Sequence, residues 1–444
     1  MSRTPPPQPV SVPRLSRFAS ALIIAGPLVS ISGGRWGSYI GIAEANLFLS
    51  DFLVAAGTLL VLAHVLTSRA DLRLLLSPIQ GLGLLVIVVG LSHHGTSPSL
   101  IVRDIAPFAY LLVSPLFRVA VNNIGRVTVE KALGTALLLH LVWFVPAVFN
   151  ILPSIQSPIS SVALFDVRGD YDGMVTGVAV LWLLLRTRIP LILRVTIGVA
   201  ATAAIVAQGS RAAIIGTVVA IFIYTVLSRP FRHPRYGPLL VASICFFFTP
   251  CLAVLLLAVK APPDWAAGLI KLFPSNSAGY LSGQNTQNAR ASAWQLVLDY
   301  MHQSTTLEWW GAGAGQDVIA QSGALQHLSG DPSVRQAHNF LVTWYAMFGL
   351  IAVAITAACI AVALIALFLP RNRQVVSPIG ASLLVATVSI GLIGVVLESP
   401  FGYQTVILCL ALNFTARAGD PNASGRQKPD HLRLYSTTAR PNTA

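Results

Sequence analysis

The chain has 444 residues, of which 55 % are hydrophobic and 10 % charged, with a mean hydropathy of +0.71. Soluble domains carry about 25 % charged residues, so a soluble enzyme, a disordered chain and a disulfide scaffold are all excluded; the composition describes an all-α polytopic membrane protein. The net charge of +13, from 29 Lys and Arg against 16 Asp and Glu, is spread over many short loops. Nucleic acid requires a clustered basic stripe, so no nucleic-acid partner is expected.

Residues 1–17, with Pro5-Pro6-Pro7 and Arg3, Arg14 and Arg17, read as a cytoplasmic tail too poor in apolar residues to bury a core. The run from Phe18 to Ile31 has no small-residue cleavage site after it, which predicts an uncleaved first helix. Apolar runs at 18–34, 46–66, 74–91, 101–121, 130–150, 171–187, 190–208, 211–227 and 238–259 make 18–259 a nine-helix membrane region. Further runs at 338–369, 377–397 and 402–416 make 338–416 a three-helix region, for about twelve spans in all. The tenth is long enough to be tilted or broken. Alternate loops hold Arg69 and Arg73, Arg118 to Lys131, Arg186 and Arg188, Arg229 to Arg235, and Arg371 and Arg373. The positive-inside rule assigns these loops and both termini to the cytoplasm. Residues 417–444 read as a disordered cytoplasmic tail. Cys245, Cys251, Cys359 and Cys409 lie within apolar runs and act as small hydrophobes.

Residues 260–337 then form one large extracytoplasmic loop that holds Trp265, Trp294, Trp309 and Trp310, four of the eight tryptophans. A loop of this length is usually functional. Within it, 289–301 has helical periodicity and predicts a short helix at the membrane surface.

Several outward-facing polar residues stand at helix starts. Arg211 follows Gln208-Gly209-Ser210. Ser210 is a good N-cap, and a guanidinium beside the helix N-terminus suits an anion such as phosphate. His338 opens the tenth span in Arg335-Gln336-Ala337-His338-Asn339. The helix dipole and Arg335 both disfavour its charged form, which makes it the histidine to choose as a base. Arg290 and Trp294 are one helical turn apart, which suits either a lipid-phosphate site or interfacial anchoring. Arg103-Asp104 is either an internal ion pair or part of the same anion site. Asp170 and Asp172 form a D-x-D too common to assign to a metal, and His93-His94 lacks a third ligand, so no metal site is expected. Gly311-Ala-Gly313-Ala-Gly315 follows no strand and predicts a flexible or tightly turned loop rather than a dinucleotide site. Glu398 is the one acid near the outer end of the last two spans, and a weak candidate.

In this order, Gly209-Ser210-Arg211, Arg290-x-x-x-Trp294, Gly311 to Gly315, and His338-Asn339 with Gly349-Leu350 resemble the O-antigen ligase/polymerase superfamily. The resemblance covers about residues 160–350 and implies a glycosyltransferase-C-like fold in the bacterial inner membrane, with the active site on the outer face. It implies transfer of a polyprenyl-diphosphate-linked glycan to a lipid or glycan acceptor, inverting and without metal or other cofactor. By position, Arg211 and Arg290 would clamp the diphosphate and His338 would deprotonate the acceptor. Arg168, Arg335, Asn339, Arg103, Ser210, Trp294, Gly313 and Gly315 would line the substrate site. Arg168-Gly169 lacks the Asn that often follows in relatives. Membrane lipids and polysaccharide-assembly proteins are the expected further partners. A Wzy-like polymerase is the alternative within the family; a lipid-linked-sugar flippase or a non-catalytic assembly partner is the alternative outside it.

Overall fold

The structure is a computed structural model that describes residues 14–42, 47–68, 78–95, 97–153, 155–157, 163–228, 278–328, 336–369 and 376–414. Backbone polar groups in lipid must be satisfied within their own segment, so the apolar runs become helices. They are α1 (Arg14–Ser38), α2 (Leu49–Ser68), α3 (Pro78–Ser92), α4 (Pro98–Ile124), α5 (Arg126–Val148), α6 (Gly169–Arg186), α7 (Leu191–Ala207) and α8 (Arg211–Ser228). After these come α9 (Ala278–Met301), the short α10 (Thr305–Trp310), α11 (Val318–Gln321) and α12 (Leu325–Leu328), then α13 (Phe340–Phe368), α14 (Pro378–Gly391) and α15 (Pro400–Phe414). Two small antiparallel hairpins, Gly41–Ile42 with Leu47–Phe48 and Ile155–Gln156 with Ala163–Leu164, close loops between helices.

Every predicted span except the ninth coincides with one of these helices. The ninth, 238–259, lies outside the described residues, as do 260–277, Arg335 and 417–444. Among the described residues, α1, α4, α5, α8 and α13 are long and apolar enough to cross a membrane, while α2, α3, α7, α14 and α15 are shorter apolar helices. The fold is that of an all-α membrane protein.

The main core joins α1, α4 to α8, α14 and α15 around Phe117, Phe144, Tyr171 and Phe401. A second cluster packs Ala293, Val297 and Met301 of α9 against Ala337, Tyr345 and Ala346. That helix begins at Ala278 rather than 289. The polar stretch from Gly283 to Asn288 carries no apolar periodicity, so the sequence marks only the half that carries an apolar stripe.

Of the two expectations for the long tenth span, tilted or broken, α13 is broken, at Gly349, whose φ of 74° interrupts the helix. The end of α10 fills the break: the Trp309 carbonyl comes so near that a Cβ on Gly349 would lie 2.2 Å from it. The glycine-rich turn continues from there as a strap. Ala312 and Gly313 donate to the carbonyls of Ala346 and Met347, Ala314 donates to Gly90, and Gly95 donates back to Ala314, all at 2.8 to 2.9 Å. Gly313 has φ 99°, and a Cβ there would lie 1.8 Å from the His93 carbonyl oxygen. Gly313→Ala is therefore expected to cost about 2–4 kcal/mol, from the forbidden backbone and the clash together. Thermal unfolding of the purified variant in detergent checks this; an unchanged midpoint contradicts the packing role.

Candidate functional site

The site gathers at one end of the bundle, where α6, α8 and α13 begin. Arg168 is the N-cap residue of α6. Asp172, fully buried, accepts the Arg168 backbone N–H at 2.7 Å and the Arg35 N–H at 3.2 Å, tying the end of α1 to the start of α6. Asp170 holds the Arg168 side chain, accepting from Nε at 2.8 Å and Nη2 at 3.3 Å. The Phe401 ring lies 5.7 Å under that guanidinium. Burial works against the charge of Arg168, but Asp170, with Tyr39 and Asp172 adding to it, raises the pKa. The two aspartates of the D-x-D are thus engaged with separate protein donors. Among the described residues, no group of three His, Cys, Asp or Glu side chains is arranged to hold a metal ion.

The start of α8 adjoins that of α6. Gly209 turns the chain with φ 61°, and the Ser210 hydroxyl accepts from Ala213 N–H at 3.3 Å, the cap predicted from sequence. Gly169 packs on this turn, against the Ser210 and Gln208 side chains. Two helix N-termini, each with its positive dipole end and an arginine, thereby sit side by side.

From α9, Arg290 Nη1 donates to the Ile393 carbonyl at 3.0 Å. The next residue, Gly394, lies against Asp170, so the loop between α14 and α15 brings Arg290 to the Arg168–Asp170 pair. Burial lowers the Arg290 pKa; Asp170 opposes that shift and Arg168 adds to it. One turn further along α9, Trp294 Nε1 donates to the Ala337 carbonyl at 2.5 Å.

His338 stands just before α13 rather than opening it. Asn339 is the N-cap, its side-chain oxygen accepting from Leu341 N–H at 3.0 Å, and His338 has a φ of 58°. Burial first, then the charges of Arg290 and Arg168, push its pKa down to about 4, with Asp170 pulling the other way. The imidazole is neutral at pH 7 and able to accept a proton. The sequence anticipated the neutral ring. It attributed this to the helix dipole and to Arg335, which lies outside the described residues; in the structure burial comes first, then the charges of Arg290 and Arg168.

Glu398 also belongs here. It ends a short 3-10 turn (Val396–Glu398) and is 6 % exposed, and neither carboxyl oxygen makes a hydrogen bond, although the Thr343 hydroxyl lies near. Burial raises its pKa to about 8, against the weaker influences of Thr343, Arg168 and Arg103. The sequence undervalued it because nothing local distinguishes Glu398-Ser399-Pro400; only burial does.

Other candidates are engaged differently. Arg103 forms an ion pair with Asp104 through Nε and Nη2 at 2.9 and 2.8 Å, and the second Asp104 oxygen accepts from Gly315 N–H at 2.9 Å. Gly313 and Gly315 thus spend their N–H groups on Met347 and Asp104. His93 and His94 face Ser92 and the Gly95 carbonyl rather than each other. His140 is a packed core histidine, with Nδ1 3.0 Å from the Ile31 carbonyl and Nε2 3.1 Å from that of Asp172.

With this geometry in view, residues 196–357 match a family model described as O-antigen ligase. The match runs from within α7 to within α13. It contains Arg211, Arg290, Trp294, His338 and Asn339 and leaves Arg168 and Glu398 outside. No curated protein matches the chain.

Proposed function

We propose, from the place of residues 196–357 in the O-antigen ligase/polymerase superfamily, that this chain transfers a polyprenyl-diphosphate-linked glycan to a lipid or glycan acceptor on the outer face of a bacterial inner membrane. The observation that carries the reading is a neutral, half-buried His338 held in the field of Arg290 and Arg168. A base and anion-stabilising cations at one place are what an inverting transfer needs.

The acceptor hydroxyl gives its proton to His338 as its oxygen attacks C1 of the donor's first sugar. The new C1–O bond forms on the face opposite the diphosphate. The bond from C1 to the diphosphate oxygen breaks, and polyprenyl diphosphate leaves with the electron pair. Arg290 and Arg211 stabilise the charge that develops on it, each with a guanidinium whose fork binds phosphate oxygens in pairs. Arg168 sits deeper, tied to Asp170, and contributes its field rather than a free donor fork. Arg103, Arg335, Asn339 and Ser210 complete the proposed substrate surroundings.

The test is release of free polyprenyl diphosphate by the purified chain from lipid-linked glycan extracted from the host membrane. Acceptor lipid extracted from the same membrane is added, and the anomeric configuration of the product is read by NMR. Inverted product with stoichiometric lipid release is expected. Growth of the glycan on its own lipid carrier identifies a polymerase, transfer to another lipid identifies a ligase, and flipping without bond cleavage contradicts the reading.

A further inference from the structure

Ala337 is fully buried, and both of its backbone polar groups are taken. Its N–H donates to Thr343 Oγ1 at 3.0 Å, and its carbonyl accepts from Trp294 Nε1 at 2.5 Å. A carbonyl held this way fixes the rotation of the peptide leading into His338. His338 has the left-handed φ of 58°, a conformation that residues with a Cβ keep only where their surroundings over-determine it. Neither Ala337 nor His338 supplies the freedom a glycine would bring to such a turn. The constraint comes from neighbours, with Thr343 of α13 holding the Ala337 N–H and Trp294 of α9 holding its carbonyl. One face of α9 carries Arg290, whose charge acts on the imidazole, and one turn later the indole that grips the peptide before it.

We propose that Trp294 is a positioning residue: its indole N–H, bound to the Ala337 carbonyl, holds His338 in the left-handed turn that keeps the imidazole beside Arg290. The importance of that for transfer rests on the function proposed above; the clamp itself does not. The same contact makes α9 a link between the His338 turn and the Ile393–Gly394 loop, so both groups shift together if α9 moves. Trp294 thus serves the site from behind instead of lining the substrate.

Carbethoxylation of His338 by diethyl pyrocarbonate, followed against pH by peptide mass spectrometry on the full chain in detergent, tests the clamp. The exposed His302 and His327 serve as internal references. The groups facing the imidazole are Arg290 from α9 and Arg168 and Asp170 from the start of α6. In the wild type, half-maximal reactivity is expected near pH 4. Trp294→Phe keeps an aromatic ring in the α9 cluster and removes the donor. Its half-point should rise by about one pH unit or more toward the ordinary 6.5, with both references unmoved.

An unmoved His338 half-point in the folded variant overturns the proposal. Where the phenylalanine variant does not accumulate, 3-benzothienylalanine at position 294, which has the shape of tryptophan without its N–H, gives the same readout with the same two outcomes. In the transfer assay the variant is expected to lose at least about tenfold in kcat with donor KM unchanged. The labelling needs no substrate, so failure of the clamp and failure of the transferase reading are separately visible.

Discussion

Arg290→Gln is expected to lower glycan transfer about a thousandfold and to move the acid limb of the pH–rate profile upward. The first effect is the loss of a cation aimed at charge that develops only as the diphosphate leaves. The second follows from the environment of His338, where burial and then the Arg290 charge hold the pKa at about 4. A base acts in its neutral form, so the rate rises with pH through that pKa. Removing a positive neighbour makes protonation easier, raises the pKa toward 6.5 and shifts the limb the same way. Arg290→Lys separates the two effects: it restores the charge and hence the limb near pH 4, but not the paired donors that fit phosphate oxygens. Profiles of the purified variants between about pH 4 and 8 check this. A limb that stays put in the glutamine variant contradicts the electrostatic coupling.

Glu398→Met is expected to make the protein more stable and less active at once. The buried carboxyl has no hydrogen-bond partner, and its pKa rises from 4.5 to about 8. A group whose folded pKa is raised gives stability below its unfolded pKa and loses it as pH climbs to the folded one. Wild-type stability should therefore fall by roughly 3 to 5 kcal/mol between pH 4.5 and 8 through this one residue. Methionine fills a similar volume and carries no charge, so the variant should lack this fall across that window and melt higher at pH 8. Transfer should fall by at least about tenfold, because an uncompensated buried acid this near the arginines is the kind of local cost that persists for function. Thermal melts against pH, run beside the transfer assay, measure both. A variant with a wild-type pH dependence of melting would show that Glu398 is not held neutral in the fold.

The sequence made the helical membrane architecture legible because long apolar runs leave the backbone no alternative in lipid. It also marked individual features with local chemistry: the Ser210 cap is present, Arg103–Asp104 takes the ion-pair alternative, and the long tenth span, expected to be tilted or broken, is broken at Gly349. Features that depend on distant segments were harder to read. The Asn339 cap places His338 one residue outside its helix, and a positive φ at a histidine leaves no compositional trace. Arg168, Arg290 and Glu398 are separated by more than a hundred residues at each step or lie beyond the span of the motifs, and they meet through the Ile393–Glu398 loop. The glycine-rich segment, expected to be either flexible or tightly turned, is tight, and its tightness serves the packing of α3, α4 and α13. In α9 the apolar stripe covers only the later part of the helix, so it does not show where the helix begins.

In the proposed function a base and arginines on separate helices perform one transfer reaction. The decisive test is a gel of cell-surface glycan from a deletion strain re-expressing wild type, Arg211→Ala or His338→Ala at matched membrane levels. Wild type alone should restore the glycan. Each variant should accumulate lipid-linked donor, because the acceptor is not deprotonated in one and the leaving diphosphate is not stabilised in the other. A normal glycan pattern from both variants would contradict the account and leave transport or scaffolding as the work of this fold.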